Sequence, residues 1–353
     1  MNRIRVGILG ATGAVGQQFV HLLEHHPWFE ITALAASERS AGRRYGDIVN
    51  WIGGGAPPRS VADMVVREAK PPLPCDLVFS GMDASVAGEI ETAFAEAGVA
   101  VLSNARNHRM RADVPLLIPE VNPNHIGLVS GQAYPKGGMI VTNPNCATVG
   151  LVCTLRPLVD AFGVTRVQAT TMQAVSGAGY PGVPSLDILG NVIPFIPGEE
   201  GKVENEPLKI LGHFDGTAVQ PLEAVISAQC NRVAVLDGHM VSASVSLGRR
   251  VAIEEVVAAL RDFRSPLEGL GLPSAPERFL EVYDEGPAPQ PRRHAWSGRG
   301  MTVSVGRIRS CPVADVRFVA LVHNTVRGAA GGAILNAELL VRQGLVKAAL
   351  PVV

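Results

Sequence analysis

The sequence predicts an α/β protein in two parts: a doubly wound parallel sheet over residues 1–146 and an α+β unit with a mixed sheet over residues 147–326. Two observations predict this. Short β-like runs alternate with helical stretches through the first part, the pattern of a parallel sheet covered on both faces. Beyond residue 147 the β-rich runs stand far apart in sequence, which reads as a mixed or antiparallel sheet. In order, Arg3–Leu9 reads as a strand, Val15–His25 as a helix and Phe29–Ala36 as a second strand. The apolar run Cys75–Ser80 reads as a buried strand, Ala84–Ala97 as a helix, and Val99–Ser103 and Met139–Thr142 as further strands. A helix over Ala147–Ala161 opens the second part. Its strands are Val164–Met172, Ala218–Cys230, His239–Leu247, Met301–Arg309 and Val316–Val322, with a helix over Ile253–Arg261. The Ala- and Leu-rich stretch Gly328–Leu345 reads as helix, and the tail from about 327 to 353 is expected to pack back onto the first part.

Composition narrows the function. Of 353 residues, 47% are apolar and 18% charged, which provides a large core and excludes a disordered chain. The 31 Lys and Arg balance 32 Asp and Glu, so no nucleic-acid or membrane-surface partner is expected. Gly, Pro and charged residues break every apolar run short of the roughly 18 residues of a membrane span. The opening residues enter a strand with no signal-peptide core, so a cytoplasmic protein is expected. The cysteines are Cys75, Cys146, Cys153, Cys230 and Cys311, an odd set with no C-x-x-C pair. Neither a disulfide framework nor a bound metal is expected.

The first chemical signal is Val6-Gly7-Ile8-Leu9-Gly10-Ala11-Thr12-Gly13-Ala14-Val15-Gly16. A strand ends in a glycine turn that opens a helix, directing backbone N–H groups and the positive helix end at an anion. The G-x-x-G-x-x-G spacing is a variant of the Rossmann dinucleotide fingerprint in its required context. Gly10, Thr12, Gly13, Ala14 and Val15 are therefore candidate cofactor contacts; the bland alternative is a plain βα turn. The second strand ends in Ser37-Glu38-Arg39-Ser40. An NAD site usually carries an acid here for the ribose 2′-hydroxyl. Arg39 with the Ser37 and Ser40 hydroxyls suits a 2′-phosphate instead and favours NADP, and Glu38 can equally point to solvent.

The sharpest signal is Thr142-Asn143-Pro144-Asn145-Cys146-Ala147-Thr148. A β-run stops at a Pro turn and a helix begins, which puts Cys146 at a helix N-terminus. There the dipole favours the thiolate and lowers the pKa from about 8.5. The competing reading is a small buried residue at a turn; Cys153, further along the same helix, reads as core. Two more clusters favour chemistry. Gln173 to Gly182 runs from a strand into a glycine-rich loop containing Ser176 and Gly177, and Cys230 to His239 carries Arg232 and an imidazole. A thiol attacking a carbonyl needs an acid/base, usually His, and a carboxylate-bearing substrate needs an Arg fork. His239 as a core histidine and Arg232 as a surface ion-pair partner remain the alternatives.

Together the motifs resemble the aspartate-β-semialdehyde dehydrogenase family, in its archaeal and fungal branch. The resemblance covers nearly the whole chain: GATGAVG, ASERSAG, SNARNHRM, NPNCAT, QAVSGAGYPGVPSLDI, EEGKVENEPLKILG, CNRVAVLDGH and HNTVRGAAGGAILNAELL. It implies an NADP-dependent enzyme that reduces L-aspartyl-4-phosphate to L-aspartate-4-semialdehyde through a cysteine thioacyl intermediate, releasing phosphate. By resemblance Cys146 is the nucleophile, His239 the acid/base and Gln173 the positioning amide. Arg232 matches the substrate carboxylate binder, Arg109 and Lys202 the phosphate binders, and Glu199 the partner of the amino group, with Glu200 beside it as an alternative. Asn145 belongs to the same substrate site. Ser176, Gly177 and Asn324 match cofactor contacts, and a homodimer or homotetramer built on the second domain is implied. Ala234, Met240, Val241 and Pro207 depart from the family pattern and bear on the acyl substrate more than on the reaction type. A paralogue reducing a malonyl-CoA-type thioester or another acyl phosphate is the first rival. A non-catalytic NADP-binding redox sensor with Cys146 as its oxidisable thiol is the second.

Overall fold

The computed structural model describes residues 3–347; the end of the expected tail, residues 348–353, lies outside the described residues. The first sheet is built from β1 (Ile4–Leu9), β2 (Phe29–Ala36), β3 (Arg67–Glu68), β4 (Leu77–Ser80), β5 (Ala100–Ser103) and β6 (Met139–Thr142), with α1 (Ala14–Leu23) and α2 (Ala84–Glu96) on its faces. Its six strands run in the order β3-β2-β1-β4-β5-β6, every neighbour parallel. Successive side chains of a strand point to opposite faces, and both faces here are apolar. Ile8, Leu34, Phe79, Leu102 and Val141 pack with Phe19, Val20 and Leu23 of α1. Leu9, Ala35, Val78, Val101 and Ile140 meet Phe94 and Ala95 of α2 on the other side. The winding reverses between β1 and β4, and a cleft opens at the carboxyl ends of those strands.

The second region begins with α3 (Cys146–Phe162) and β7 (Val164–Gln173), then β8 (Val192–Ile193), α4 (Glu199–Ile210), β9 (Val225–Val233), β10 (His239–Leu247) and α5 (Ile253–Arg261). Strands β11 (Leu280–Tyr283), β12 (Val303–Ser310) and β13 (Val316–Val322) complete a seven-stranded mixed sheet ordered β11-β12-β13-β10-β7-β9-β8. Only β7–β9 and β11–β12 pair in parallel. Leu151 and Leu155 of α3 and Val256 and Leu260 of α5 cover one face, against Val167, Val241, Val245 and Phe318. The opposite face is polar and open, with Gln168, Ser227, Gln229 and Ser242 exposed. A last helix, α6 (Gly331–Arg342), returns to the first sheet, where Ile334, Leu335, Leu339 and Leu340 share a core with Ile4 and Val6.

The structure adds β3, β8 and β11 to the expected strands, and two further elements differ from expectation. The run expected as one strand over Ala218–Cys230 divides into a short ribbon strand, Val219–Gln220, and β9, because Pro221 has no N–H to continue a ladder. Helix α4 was not expected at all, since Gly201 and Pro207 interrupt its pattern. It forms because Val203 and Ile210 bury one side against the mixed-sheet core. It also carries two of the four charged groups that act on the cysteine, Glu199 and Lys202.

Candidate active site

The nucleotide cleft is built largely from backbone. Gly10 adopts φ +75°, and a Cβ on Gly16 would lie 2.2 Å from the Gly10 oxygen, so the turn folds directly beneath the start of α1. Two side chains brace it. Tyr45 Oη donates to the Ala11 carbonyl at 3.0 Å, and Gln17 Nε2 donates to the carbonyls of Thr12 (3.0 Å) and Asn50 (2.9 Å). Gly10, Thr12, Gly13, Ser37, Glu38 and Arg39 line a cleft of about 640 Å³. Arg39 is exposed and has no carboxylate partner among the described residues, whereas nearby Lys70 pairs with Glu68. Ser40 lies off this lining, its N–H closing a turn on the Ser37 carbonyl at 2.9 Å. Ala14 lines an adjoining cleft of about 620 Å³ with Ser176, Trp296 and His323. The Val15 side chain packs against the core, leaving its backbone for the turn. Glycine turn, helix start and free guanidinium fit a phosphorylated dinucleotide.

Cys146 is the first residue of α3. Pro144 keeps Asn143 out of the helical region and ends β6. Asn145 then caps the helix, its Oδ1 accepting from Ala147 N at 2.9 Å and Thr148 N at 3.3 Å. The Asn145 Nδ2 donates to Glu199 Oε2 at 2.8 Å, so this amide is committed to cap and carboxylate. The expected lowering of the thiol pKa is not found. Burial first, then the Glu199 charge, push the Cys146 thiol up to about 12 against the opposing charges of Arg109, Arg232 and Lys202. A helix terminus contributes only about 0.3–1 kcal/mol, less than the cost of taking a thiolate out of water.

Around the thiol Glu199, Arg109 and Arg232 are buried and Lys202 is half-buried. Burial opposes ionisation of Glu199, yet the Lys202 ammonium at 2.7 Å and the amides of Asn145 and Gln173 outweigh it and hold the pKa below its usual value. Glu200 faces elsewhere, accepting from the Cys230 N–H at 3.2 Å. Gln173 also donates to Thr171 Oγ1 at 3.3 Å. Arg232 stands in register with Gln173 across β7 and β9, and its Nη1 donates to the Ala174 carbonyl at 2.8 Å. The N–H of the same Ala174 donates to His239 Nδ1 at 3.1 Å. Burial, then the charges of Arg232 and His323, push His239 down to about 3. A neutral ring whose Nδ1 accepts must carry its proton on Nε2. That Nε2 is buried without a partner among the described residues.

The loop carrying the cofactor candidates closes over this pair. A Cβ on Gly177 would lie 2.9 Å from His239 Nε2 and 3.0 Å from Arg232 Nη1, so only glycine lets the loop lie there. Asn324 donates from Nδ2 to Ser176 Oγ at 2.8 Å and accepts from Gly238 N at 2.8 Å, tying the loop to the residue before His239. Met240 faces the open side of the mixed sheet, away from His239, because neighbouring strand residues alternate; Val241 is fully buried core. Ala234 is exposed.

Several participants escaped the sequence reading. His323 is buried edge-on against Trp296, at 4.2 Å between ring centroids. On α4, Glu199, Lys202, Glu206 and Lys209 recur at helical spacing and share one face. Arg109 Nη1 donates to Glu206 Oε1 at 2.8 Å and Nη2 to the Asn104 carbonyl at 2.7 Å. Lys209 Nζ donates to the carbonyls of Arg109, Arg111 and Val114, each at 2.7 Å, and fixes the Arg109 loop. That spacing, legible in EEGKVENEPLKILG, was the available signal.

A dinucleotide cleft joined to a mixed-sheet domain, with a cysteine opening the helix between them, has the architecture of semialdehyde dehydrogenases. Two family models of that class match: the semialdehyde dehydrogenase NAD binding domain over residues 5–129 and the semialdehyde dehydrogenase dimerisation domain over residues 155–327. The aspartate-semialdehyde dehydrogenase of Archaeoglobus fulgidus is 49% identical over 98% of this chain and 100% of its own length. That of Candida albicans is 48% identical over 97% of this chain and 99% of its own. The crystal structure of the Candida albicans enzyme with NADP superposes with a TM-score of 0.89 at 45% identity, covering 98% of this chain and 100% of that one. The chain belongs to the aspartate-semialdehyde dehydrogenase family. Among the described residues no helix is long and apolar enough to cross a membrane.

Proposed function

We propose that this protein catalyses the NADP-dependent reductive dephosphorylation of L-aspartyl-4-phosphate to L-aspartate-4-semialdehyde. One observation carries the reading most directly: the thiol at the start of α3 feels three cations, Arg109, Arg232 and Lys202, and one carboxylate, Glu199. A zwitterionic acyl phosphate needs cations for its carboxylate and phosphate and an anion for its ammonium. Arg109 and Lys202 take the phosphate, Arg232 the α-carboxylate and Glu199 the amino group. Asn145 serves the site through the cap and through Glu199, and Gln173 orients the acyl group. As the Cys146 sulfur attacks the acyl carbon, the thiol proton passes to the departing phosphate, and the carbon–oxygen bond to phosphate breaks with its bonding pair leaving on the phosphate. NADPH, when bound, supplies the hydride that reduces the resulting thioester. The His239 Nε2–H donates a hydrogen bond to the carbonyl-derived oxygen as it takes up negative charge; when that oxygen re-forms its double bond, the carbon–sulfur bond breaks and the sulfur leaves as thiolate.

When bound, the cofactor would be held along Gly10, Thr12, Gly13, Ala14 and Val15, with Ser37 and Arg39 at the 2′-phosphate and Ser176, Gly177 and Asn324 at the nicotinamide end. The Candida albicans structure with NADP supports this choice of nucleotide. We further infer a division into a nucleotide domain (residues 1–146, with α6 packed onto it) and a catalytic and dimerisation domain (147–326). The matched dimerisation domain supports a homo-oligomer assembled through the latter; we infer a homodimer or homotetramer that works in the cytoplasm. The test is phosphate-dependent reduction of NADP with L-aspartate-4-semialdehyde, run beside Cys146→Ala. Turnover should fall by about 10⁴-fold or more in the variant, with NADP affinity retained. Turnover of a CoA thioester in place of the phosphate-dependent reaction would replace the acyl donor in this reading.

A further inference from the structure

We propose that Glu206 is a positioning residue that ties the phosphate-binding guanidinium to the nucleophile. The proposal rests on the assignment of phosphate to Arg109 made above. Glu206 is 2% exposed and uses both carboxylate oxygens: Oε1 accepts from Arg109 Nη1 at 2.8 Å, and Oε2 accepts from the backbone N of Asn145 at 2.7 Å. Asn145 is the residue before Cys146 and the cap of α3, so one carboxylate spans the anion-binding cation and the start of the catalytic helix. A helix leaves donors unmet at its N-terminus and favours negative charge there. Glu206 meets that need from a different helix, α4, which is itself held to the Arg109 loop by Lys209.

The arrangement leaves Arg109 with a defined job. Its Nη1 is held by Glu206 and its Nη2 by the Asn104 carbonyl, while Nε is buried with no partner among the described residues. Guanidinium has five N–H donors, so a fixed plane with unspent donors remains for an anion. Glu206 holds that plane still and sets it at a constant offset from the Cys146 backbone. An amide at 206 cannot do the same. Its oxygen serves one of the two donors, and its NH₂ meets the other donor head-on.

The test uses inorganic phosphate as the probe. Its concentration dependence is read in two ways, as the KM of the oxidative reaction and as the half-effect on iodoacetamide alkylation of Cys146 in the enzyme without cofactor. Glu206→Gln should raise both values about ten-fold, the loss of one charge-assisted hydrogen bond. It should leave the KM for the semialdehyde and the affinity for NADP unchanged. A merely structural role moves all four together, and that result overturns the proposal. Arg109→Lys is run in parallel. If it raises the phosphate values and Glu206→Gln does not, the Glu206 proposal falls and the phosphate assignment stands. If neither variant moves them, the assignment falls too. Glu206→Asp keeps the charge should the amide variant not fold. Its shorter carboxylate cannot span both donors, so the phosphate KM still rises; an unchanged value overturns the proposal.

Discussion

The two halves of the site solve the same problem, holding phosphorylated ligands, with different materials. At the nucleotide cleft the work falls to backbone: a glycine turn, the N-terminus of α1 and a few exposed side chains such as Ser37 and Arg39. At the thiol it falls to buried side chains, with Arg109, Arg232, Glu199 and Glu206 each less than a tenth exposed. Backbone donors are neutral dipoles and need no counter-charge when the ligand is away. Buried ions do, because an unpaired charge out of water costs several kcal/mol. That is why most of the catalytic side carries matched partners, Lys202 for Glu199 and Arg109 for Glu206, while Arg232 is held by the Ala174 carbonyl. The cleft depends on a local fold, and the catalytic centre depends on every element that brings a partner.

The largest test of this contrast is Gly16→Ala. Its new Cβ meets the Gly10 carbonyl, so the turn must distort, and NADP affinity should drop about 100-fold, the loss of several backbone contacts. Isothermal titration measures it. Alkylation of Cys146 without cofactor should be unchanged; a changed rate breaks the separation of the two regions.

Acid should strike the buried side first. Burial leads the lowering of His239 to about 3, while the unfolded chain binds protons near 6.5. Below that pH the unfolded state takes up a proton that the native imidazole refuses, so stability falls as pH drops from 6.5 toward 4. Chemical denaturation at pH 7 and pH 5 reads the slope. His239→Asn should remove on the order of 1–2 kcal/mol of the loss between those values, and an unchanged slope rejects this cause.

The smallest effect belongs to the exposed side. Arg39→Ala should weaken NADP by about ten-fold and leave NAD unchanged, as expected for one guanidinium–phosphate pair facing water. Equal losses for both nucleotides would remove Arg39 from the 2′-phosphate.

The same contrast sorts what was legible beforehand. The turn at Gly10–Gly16 is a contiguous motif whose geometry follows from its own residues, and the strands of the first sheet are apolar on both faces over short, uninterrupted runs. Both could be read in one dimension. Cys146 could be placed at a helix start because Pro144 and Asn145 act on their immediate neighbours. Its pKa could not. The Glu199 charge that helps push it up comes from α4, some fifty residues further along the chain, and Gly328, far beyond that, packs against its Cβ. Helix α4 itself was hidden by Gly201 and Pro207, whose local cost is met by burying Val203 and Ile210 in a core supplied by distant strands.

Residue order therefore carried the parallel sheet, the dinucleotide turn and the identity of the reactive groups, because each depends on interactions within a few residues. The proton on His239 Nε2, the choice of Glu199 over Glu200 beside the Asn145 cap, and the bridge of Glu206 from Arg109 to Asn145 are set by tertiary packing. In each case the deciding partner lies on another element, and only its burial makes the electrostatics strong enough to matter.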